Sequence, residues 1–142
     1  MTRVVSVQVE VVAQTSASVT LDAQTRHMRR KLITLESGEE LLVDFPLARM
    51  VRDGEYLMLE DGRAIQVKAA PEELIEISAR DSAHLTLLAW HIGNRHLDAQ
   101  IEATRILIRR DHVIALMLEQ LGASLILVNA PFSPEQGAYH GH

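Results

Sequence analysis

Hydrophobic and polar residues alternate along much of the first half of the chain. Between positions 5 and 11 every second residue is a valine and the residues between are polar, which is the period of a half-buried β-strand. Val19 and Leu21 repeat the pattern briefly, and residues 35–41 resemble a strand, a turn and a second strand. No helical period of useful length occurs before residue 70. These patterns predict a β-rich domain built as a small sandwich or barrel.

Glycine and proline positions divide these strands. The Asp61-Gly62 pair lies between two apolar stretches, and Asp-Gly readily adopts the positive φ angles of a type I′ hairpin turn. Pro46 and Pro71 are expected to lie where strands stop, because proline cannot donate a hydrogen bond to a neighbouring strand.

The pattern changes after Ala70. Residues 72–77 predict a strand, and Asp81 is the expected N-cap of a helix that ends at Gly93. Residues 97–102 and 105–109 predict two short strands around a tight turn. Asp111 is the expected N-cap of a second helix that ends at Gly122, and residues 125–128 predict a last strand. The resulting β-α-β-β-α-β order is the ferredoxin-like pattern, an antiparallel sheet with two helices on one face.

The chain is therefore predicted to be an α+β protein with three parts. A β-rich domain covers residues 1–70, and a ferredoxin-like domain covers residues 71–131. Residues 132–142 combine proline, glycine and polar residues at the terminus, so they are expected to form a flexible tail that carries histidine.

The composition limits the classes of function. The 142 residues are 47% hydrophobic and 23% charged, which is typical of a globular protein. No apolar run approaches the roughly 20 residues of a membrane-spanning helix, and the N-terminus lacks the apolar stretch of a signal peptide. The absence of cysteine excludes disulfides, thiolate metal sites and cysteine nucleophiles. We therefore expect a cytoplasmic protein that does not act at a membrane.

The charge distribution argues against a nucleic-acid partner. The net charge is −5, whereas nucleic-acid-binding proteins normally present a basic face, and few aromatic residues are available for base stacking. The one basic run, residues 26–31, is consistent with a solvated strand edge or turn, or with a patch for an acidic partner protein. The sequence contains no glycine-rich phosphate loop and no nucleophile elbow.

Six of the seven histidines lie in the second half of the chain, and imidazole is a common ligand of nickel, copper and zinc. His96 lies in the turn between the first helix and the next strand, where a lone histidine is usually an ordinary surface residue. It could hold a metal only with partners from elsewhere, including a second copy of the chain. His84 and His91 are about 10 Å apart along one helix, so they cannot share an ion and are expected to be structural.

Three other histidines lie near helix or chain ends. His112 is in the first turn of the second helix, where the helix dipole keeps imidazole neutral and able to bind a metal, although without a partner ligand a plain surface role is the simpler interpretation. His140 and His142 are separated by Gly141 in the tail. Such a pair can fold around one ion, or its spacing can be accidental.

Two motifs are specific in combination. Gly-Asn-Arg-His occupies positions 93–96, and Pro-Phe-Ser-Pro-Glu-Gln-Gly-Ala-Tyr occupies positions 131–139. Together with residues 26–31, 64–68 and 110–113, they give the chain a resemblance to the UreE family of urease accessory proteins, which are nickel metallochaperones. The resemblance covers nearly the whole chain and implies a peptide-binding-like N-terminal domain and a ferredoxin-like metal-binding domain.

The resemblance implies roles for individual residues. His96 corresponds to the central nickel ligand, located at a homodimer interface where the same residue of the second chain binds the same ion. His112 matches a histidine of a peripheral site in some members, which can have another histidine where this chain has Arg110. His140 and His142 match the histidine-bearing C-terminal tail.

The implied function is that of a carrier and not of an enzyme. The cargo would be Ni²⁺, about one ion per dimer, with Zn²⁺ or Cu²⁺ as competitors because imidazole does not discriminate strongly among them. The implied partners are a urease accessory GTPase and the complex of urease apoprotein with accessory proteins. Only neutral imidazole binds a metal, so affinity is expected to fall as the pH drops through about 6.5. An alternative is a peptide- or protein-binding adaptor in which metal binding is incidental.

Overall fold

The computed structural model describes residues 1–10, 12 and 14–135, and the chain divides into two compact units. The first unit runs from Met1 to Ala70 and contains six strands and one short helix. In chain order these elements are β1 (Thr2–Gln8), β2 (Ala17–Leu21), α1 (Ala23–Arg26), β3 (His27–Thr34), β4 (Glu40–Met50), β5 (Tyr56–Leu59) and β6 (Ala64–Ala69).

The six strands of this unit form one sheet in the order β2-β6-β5-β1-β4-β3. β1 pairs with β4 and β2 with β6 in parallel, and the other neighbours are antiparallel. The β-rich prediction is confirmed. In place of the predicted sandwich or barrel, the unit has a single sheet with β2 and β3 at its edges. The parallel pairs join strands that are distant in sequence, and local patterns do not indicate such pairs.

The valine alternation at residues 5–11 predicted a strand here, but β1 covers Thr2–Gln8 and ends before Val9, and its buried face was predicted only in part. Val4 is 5% exposed and belongs to the core of the unit, whereas Val5 is 60% exposed. The pairing of β1 with β5 shifts between Val4 and Ser6, and such a bulge moves the following side chains to the other face. As a result Val7 lies on the core side with Val4, where it is partly buried.

Two turn predictions need correction. The hairpin between β5 and β6 is confirmed, but Gly62 has φ +90° and Asp61 does not have a positive φ, so the turn is not type I′. The hydrogen bond from Gly62 N to Leu59 O is that of a type I turn followed by a glycine bulge. Pro46 does not end a strand but lies inside β4. There the pairing with β3 is interrupted by a bulge, in which residues 45–48 of β4 lie opposite the single residue Arg29, and a bulge tolerates proline.

The basic run at residues 26–31 is only partly solvated. Arg26 is fully buried, and its guanidinium donates hydrogen bonds to the backbone carbonyls of Leu21 and Val51 at 3.2 and 3.3 Å. Arg29 and Arg30 are exposed on β3. The run therefore combines a buried structural arginine with an exposed basic strand.

The second unit begins at Pro71 and follows the predicted β-α-β-β-α-β order. Its elements are β7 (Pro71–Ser78), α2 (Ser82–Asn94), β8 (Gln100–Ile101), β9 (Arg105–Arg109), α3 (His112–Gln120) and β10 (Ser124–Pro131). Its sheet has the antiparallel order β10-β7-β9-β8, which is the ferredoxin-like arrangement, so this prediction is confirmed. The thirteen residues of α2 are too few to cross a bilayer, and no other described helix is long and apolar enough to do so.

Both helices pack on one face of this sheet. Leu88 and Ile92 of α2 and Ile114 and Leu118 of α3 belong to one buried cluster with the isoleucines of β7 and β9. Asp81 and Asp111 cap the two helices as predicted, each accepting a hydrogen bond from a backbone N–H three residues on. The strand predicted over residues 97–102 is shorter than expected, because only Gln100 and Ile101 pair with β9.

The stretch after β10 is packed further than the sequence predicted. Phe132 is fully buried beneath the Arg109 guanidinium, and Glu135 forms a backbone bridge with Ala99 beside β8. Residues 132–135 therefore pass from the β10 edge of the sheet to its β8 edge. The predicted flexible tail does not begin at residue 132, and its remaining residues, 136–142, lie outside the described part of the chain.

Candidate metal-binding site

The C-terminal end of α2 presents His96 in an uncommon backbone conformation. The helix extends one residue beyond the predicted stop at Gly93, with Arg95 as its C-cap. His96 follows with φ 58° and donates its backbone N–H to the Gly93 carbonyl at 3.0 Å. Among the residues that the structure describes, His96 is the only non-glycine residue with positive φ. Glycine normally takes this position after a helix, because a Cβ there costs about 1–2 kcal/mol.

The His96 side chain is exposed at the negative end of the α2 dipole. A cation near the last turn of an exposed helix gains about 0.3–1 kcal/mol from this field. Strained backbone at a solvent-exposed polar residue is also more frequent at functional positions than elsewhere. The dipole thus favours a positively charged ligand near His96, and the backbone strain favours a functional role for this residue.

The loop after His96 is held by a network of ion pairs. Arg109 of β9 binds Asp98 at 3.2 Å and Glu72 at 3.4 Å, and the Asp98 side chain is only 9% exposed. Ala99 is buried and exchanges two backbone hydrogen bonds with Glu135, at 3.1 and 2.7 Å. His96 therefore projects from a loop whose following residues are fixed to the sheet.

His112 lies at the start of α3, close to this loop. It is the first residue of the helix and is exposed. A small cavity of about 160 Å³ is lined both by Leu97 and Asp98, which follow His96, and by Arg110 and Asp111, which precede His112. The two segments that carry these histidines thus meet at one end of the ferredoxin-like unit.

The histidine tail starts at the same end. His140 and His142 lie outside the described residues, but Glu135 is fixed to Ala99, three residues beyond His96. The five residues from 135 to 140 can span at most about 18 Å, and the three from 96 to 99 at most about 11 Å. Chain length therefore allows the tail histidines to meet His96.

The histidines within α2 have different surroundings. His84 is buried, its Nδ1 accepts from the Arg80 N–H at 3.0 Å, and its Nε2 lies 2.7 Å from the Leu121 carbonyl. Because the carbonyl only accepts, Nε2 carries the proton, and the ring joins α2 to the end of α3. His91 is half-buried and packs edge-on against Trp90 with ring centroids 5.1 Å apart. Both rings have packing roles in this structure.

The outer face of α2 carries apolar side chains that the sequence analysis overlooked. Leu87 is 46% exposed and Trp90 is 61% exposed, three residues apart on the same face. Tryptophan with this much exposure is enriched in protein–protein interfaces. The sequence could have indicated the exposure of Leu87 and Trp90, because both residues lie off the apolar stripe of the helix formed by Leu85, Leu88 and Ile92.

Within residues 1–10, 12 and 14–135 of one chain, no three His, Asp or Glu side chains are grouped closely enough to hold a metal ion. An ion at His96 would consequently need further ligands from the tail, from a second chain, or from both. The site is an exposed imidazole with fixed surroundings and room for additional donors.

Comparison with known proteins assigns both units to one family. The family described as UreE urease accessory protein, N-terminal domain, matches residues 2–70, and the corresponding C-terminal domain matches residues 72–142. A urease accessory protein UreE of Chelativorans sp. strain BNC1 is 56% identical over 125 residues, covering 88% of this chain and 79% of the relative.

Two Brucella proteins are similar to the same extent. Urease accessory protein UreE 1 of Brucella suis biovar 1 is 55% identical over 133 residues, which cover 93% of this chain and 82% of the relative. Urease accessory protein UreE of Brucella abortus biovar 1 is 54% identical over 133 residues, covering 93% and 78%. With both domains matched and these relatives similar over most of their length, this chain belongs to the UreE family of urease accessory proteins.

Proposed function

We propose that this protein is a homodimeric nickel carrier that delivers Ni²⁺ during assembly of the urease active site. The observation that carries the proposal is His96, an exposed imidazole held in a left-handed conformation at the end of α2. Membership in the UreE family supports a role in urease maturation.

The ion is held between His96 of two chains. One imidazole binds a metal weakly, and a two-fold axis supplies an identical second ligand without any further residue type. The exposed Leu87 and Trp90 on the same helix provide apolar area that a homodimer would bury. A dimer formed near the end of α2 would therefore supply a second imidazole for the ion and cover the exposed tryptophan.

His140 and His142 complete the coordination as exchangeable ligands. The bridge between Glu135 and Ala99 supports this role, because it starts the tail close to His96. His112 serves as a peripheral ligand next to the same loop. Nitrogen donors without cysteine suit Ni²⁺ and also admit Cu²⁺ and Zn²⁺ as competitors.

A carrier must release its ion as well as bind it. Ligands on separate chains and tails can be replaced one at a time by those of a recipient, which lowers the barrier to transfer. The recipients in this proposal are a urease accessory GTPase and the complex of urease apoprotein with its accessory proteins, in the cytoplasm. The protein itself catalyses no reaction in this scheme.

Nickel titration tests the site. Isothermal titration of the full chain should give about one tight Ni²⁺ per two chains, and analytical ultracentrifugation should show a dimer. His96→Ala should remove the tight binding, whereas His91→Ala on the same helix should retain it. Tight binding by the His96→Ala protein would contradict the site.

Delivery requires a separate measurement. Urease apoprotein with its accessory proteins should be activated by the nickel-loaded wild-type protein in the presence of a chelator that removes free nickel. The His96→Ala protein should activate no better than nickel and chelator alone. Equal activation by both proteins would show that delivery does not pass through His96.

A second function, as an adaptor for an acidic protein, is favoured by the edge of the first unit. β3 is the outermost strand of its sheet, and it exposes Arg29 and Arg30. Edge strands can pair with an extended segment of another protein, and two arginines would select an acidic one. Replacing both arginines with glutamate should abolish capture of the accessory complex but leave nickel affinity unchanged; retained capture would reject the adaptor role.

A further inference from the structure

Two neighbouring strands of the first unit separate partway along their length. The parallel ladder between β1 and β4 joins residues 2–4 to residues 41–43, and within the described residues it continues no further. Both strands nevertheless extend beyond the ladder, β1 to Gln8 and β4 to Met50. On its other side β1 remains paired with β5 as far as Gln8. The last residues of β1 therefore present a free strand edge to β4 in the middle of the sheet.

The space between the separated strands is a cavity of about 460 Å³, which we call the β1–β4 cleft. Its walls are residues 6–7 of β1 and residues 45–49 of β4, and they are apolar except for Ser6 and Arg49. Val7 and Phe45 are half-buried and pack against the core of the unit, whereas Leu47 is 77% exposed. Ligand pockets typically measure about 300–1,000 Å³ and have mainly apolar walls, so this cleft is large enough for bulky side chains.

Arg49 gives the β1–β4 cleft a positive charge. The residues that line the cleft include this arginine and no acidic residue. Arg49 is exposed, and within the described part of the chain no carboxylate pairs with it. An acidic group in the cleft would therefore meet a guanidinium without a competing partner.

We propose that the β1–β4 cleft binds an extended segment of a partner protein in which a bulky apolar residue lies close to an acidic one. The segment pairs its backbone with the free edge of β1, covers Val7 and Phe45 with the apolar side chain, and binds Arg49 through the carboxylate. An extended chain suits this site because a free strand edge presents a row of unpaired N–H and C=O groups.

This inference goes beyond both functions proposed above. The β1–β4 cleft contains no candidate metal ligand, and the exposed arginines of the β3 edge do not line it. Peptide binding in the cleft and nickel binding at His96 can therefore be measured, and can fail, independently of each other.

Synthetic peptides test the inference on the full-length protein. Four ten-residue peptides carry leucine at the fifth position and glutamate at the third, fourth, sixth or seventh, with threonine and serine elsewhere. Acetylated and amidated ends leave the glutamate as the only carboxylate. Isothermal titration should show that at least one peptide binds the wild-type protein. Its affinity should fall roughly threefold to tenfold when lysine replaces the glutamate, and similarly when serine replaces the leucine.

Two variants locate the bound peptide. Arg49→Glu should weaken binding of the glutamate peptide roughly threefold to tenfold and strengthen binding of its lysine counterpart, because the exposed ion pair is then restored with opposite signs. Arg29→Glu is the matched control, since Arg29 is exposed on the neighbouring strand but does not line the cleft. Screening by salt should keep its effect below about twofold. Ala48→Trp fills the cleft from an exposed position and should abolish binding without changing the unfolding midpoint.

The inference is rejected if no peptide binds the wild-type protein, or if binding survives in Ala48→Trp. Binding that is lost in Arg29→Glu but kept in Arg49→Glu would place the peptide on the β3 edge and also reject the cleft. If no peptide binds and Ala48→Trp lowers the oligomeric state in analytical ultracentrifugation, a second copy of the chain occupies the cleft, and the inference is overturned. Nickel titration of the same proteins should show unchanged binding, so a failure at the nickel site is recognised separately.

Discussion

The backbone of His96 leads to a prediction that separates stability from function. Its φ of 58° places a side chain where glycine is the residue best suited to end a helix. Replacing His96 with glycine should therefore stabilise the second unit relative to His96→Ala, although both variants should lose tight nickel binding.

The magnitude follows from two opposing terms. A Cβ in the left-handed region costs about 1–2 kcal/mol, which alanine retains and glycine avoids. Glycine loses about 0.5–1 kcal/mol more backbone entropy on folding. The difference leaves His96→Gly more stable than His96→Ala by up to about 1.5 kcal/mol. For a unit of this size, 1 kcal/mol corresponds to roughly 4–8 °C in Tm.

The measurement is urea unfolding in the presence of a chelator, because bound metal would stabilise the folded state and mask the difference. Arg95 provides the matched control, since it precedes His96 but has φ −91°. There the order should reverse, with Arg95→Gly less stable than Arg95→Ala.

The reasoning fails if His96→Ala is as stable as His96→Gly, or if glycine is favoured equally at both positions. The first result would show that the left-handed conformation of His96 carries no strain. The second would show that glycine acts on this turn for a reason unrelated to φ.

Three further predictions concern the fold. Arg26→Ala leaves the buried Val51 carbonyl without the guanidinium donor, whereas the Leu21 carbonyl keeps its bond from the Ala70 N–H. The substitution should cost about 1–3 kcal/mol in urea unfolding, with partial recovery in Arg26→Lys, and an unchanged midpoint would contradict the buried role. The Arg63 guanidinium lowers the pKa of Glu39, so this carboxylate stabilises the fold above its unfolded pKa of 4.5, and that stability is lost as the pH falls through the lowered value. In Arg63→Met the decline in Tm from pH 5 to pH 3 should be shallower, and an identical decline would reject the linkage. Gly122→Ala places a Cβ at φ +85° and 3.1 Å from a guanidinium nitrogen of Arg80, so the free energy of unfolding measured in urea should fall by about 1–2 kcal/mol. At Gly93 an added Cβ has no atom within 4 Å, so Gly93→Ala should cause no loss of stability, and an equal loss in both variants would contradict the reasoning.

The second unit could be predicted from sequence because its signals are local. Asp81 and Asp111 mark the helix starts, and the apolar residues that follow each have helical spacing. The strands between the helices show their own short apolar runs. Once the order of elements is known, the ferredoxin-like sheet follows from general topology rules.

The first unit was harder because its sheet depends on distant partners. Nothing near β1 indicates that it pairs in parallel with β4, about forty residues later. The bulge at Val4 lies in the pairing of β1 with β5, about fifty residues later, and the bulge at Pro46 lies in the pairing of β4 with β3. Neither the buried face of β1 nor the path of β4 past Pro46 could therefore be read from the alternation within one strand. The burial of Arg26 within a basic run has the same origin, since its carbonyl partners come from two separate segments.

The candidate site likewise has features that are local in sequence and features that depend on distant residues. His96 was found from its position after a helix and from the motif around it, both of which are local. The burial of Phe132 was missed, because its cover, Arg109, comes from a strand more than twenty residues earlier. A tail that looks irregular in sequence is thereby fixed at its origin.

A fixed histidine and tethered histidines together suit the proposed role of a metal carrier. Strong binding needs ligands held in place, and release needs ligands that can leave, and a single rigid cluster cannot readily provide both. In the proposed arrangement His96 is held by the end of a packed helix, whereas His140 and His142 are joined to it only through a short tether. The fixed imidazole keeps the ion on the protein while the tethered ones are exchanged for those of a recipient.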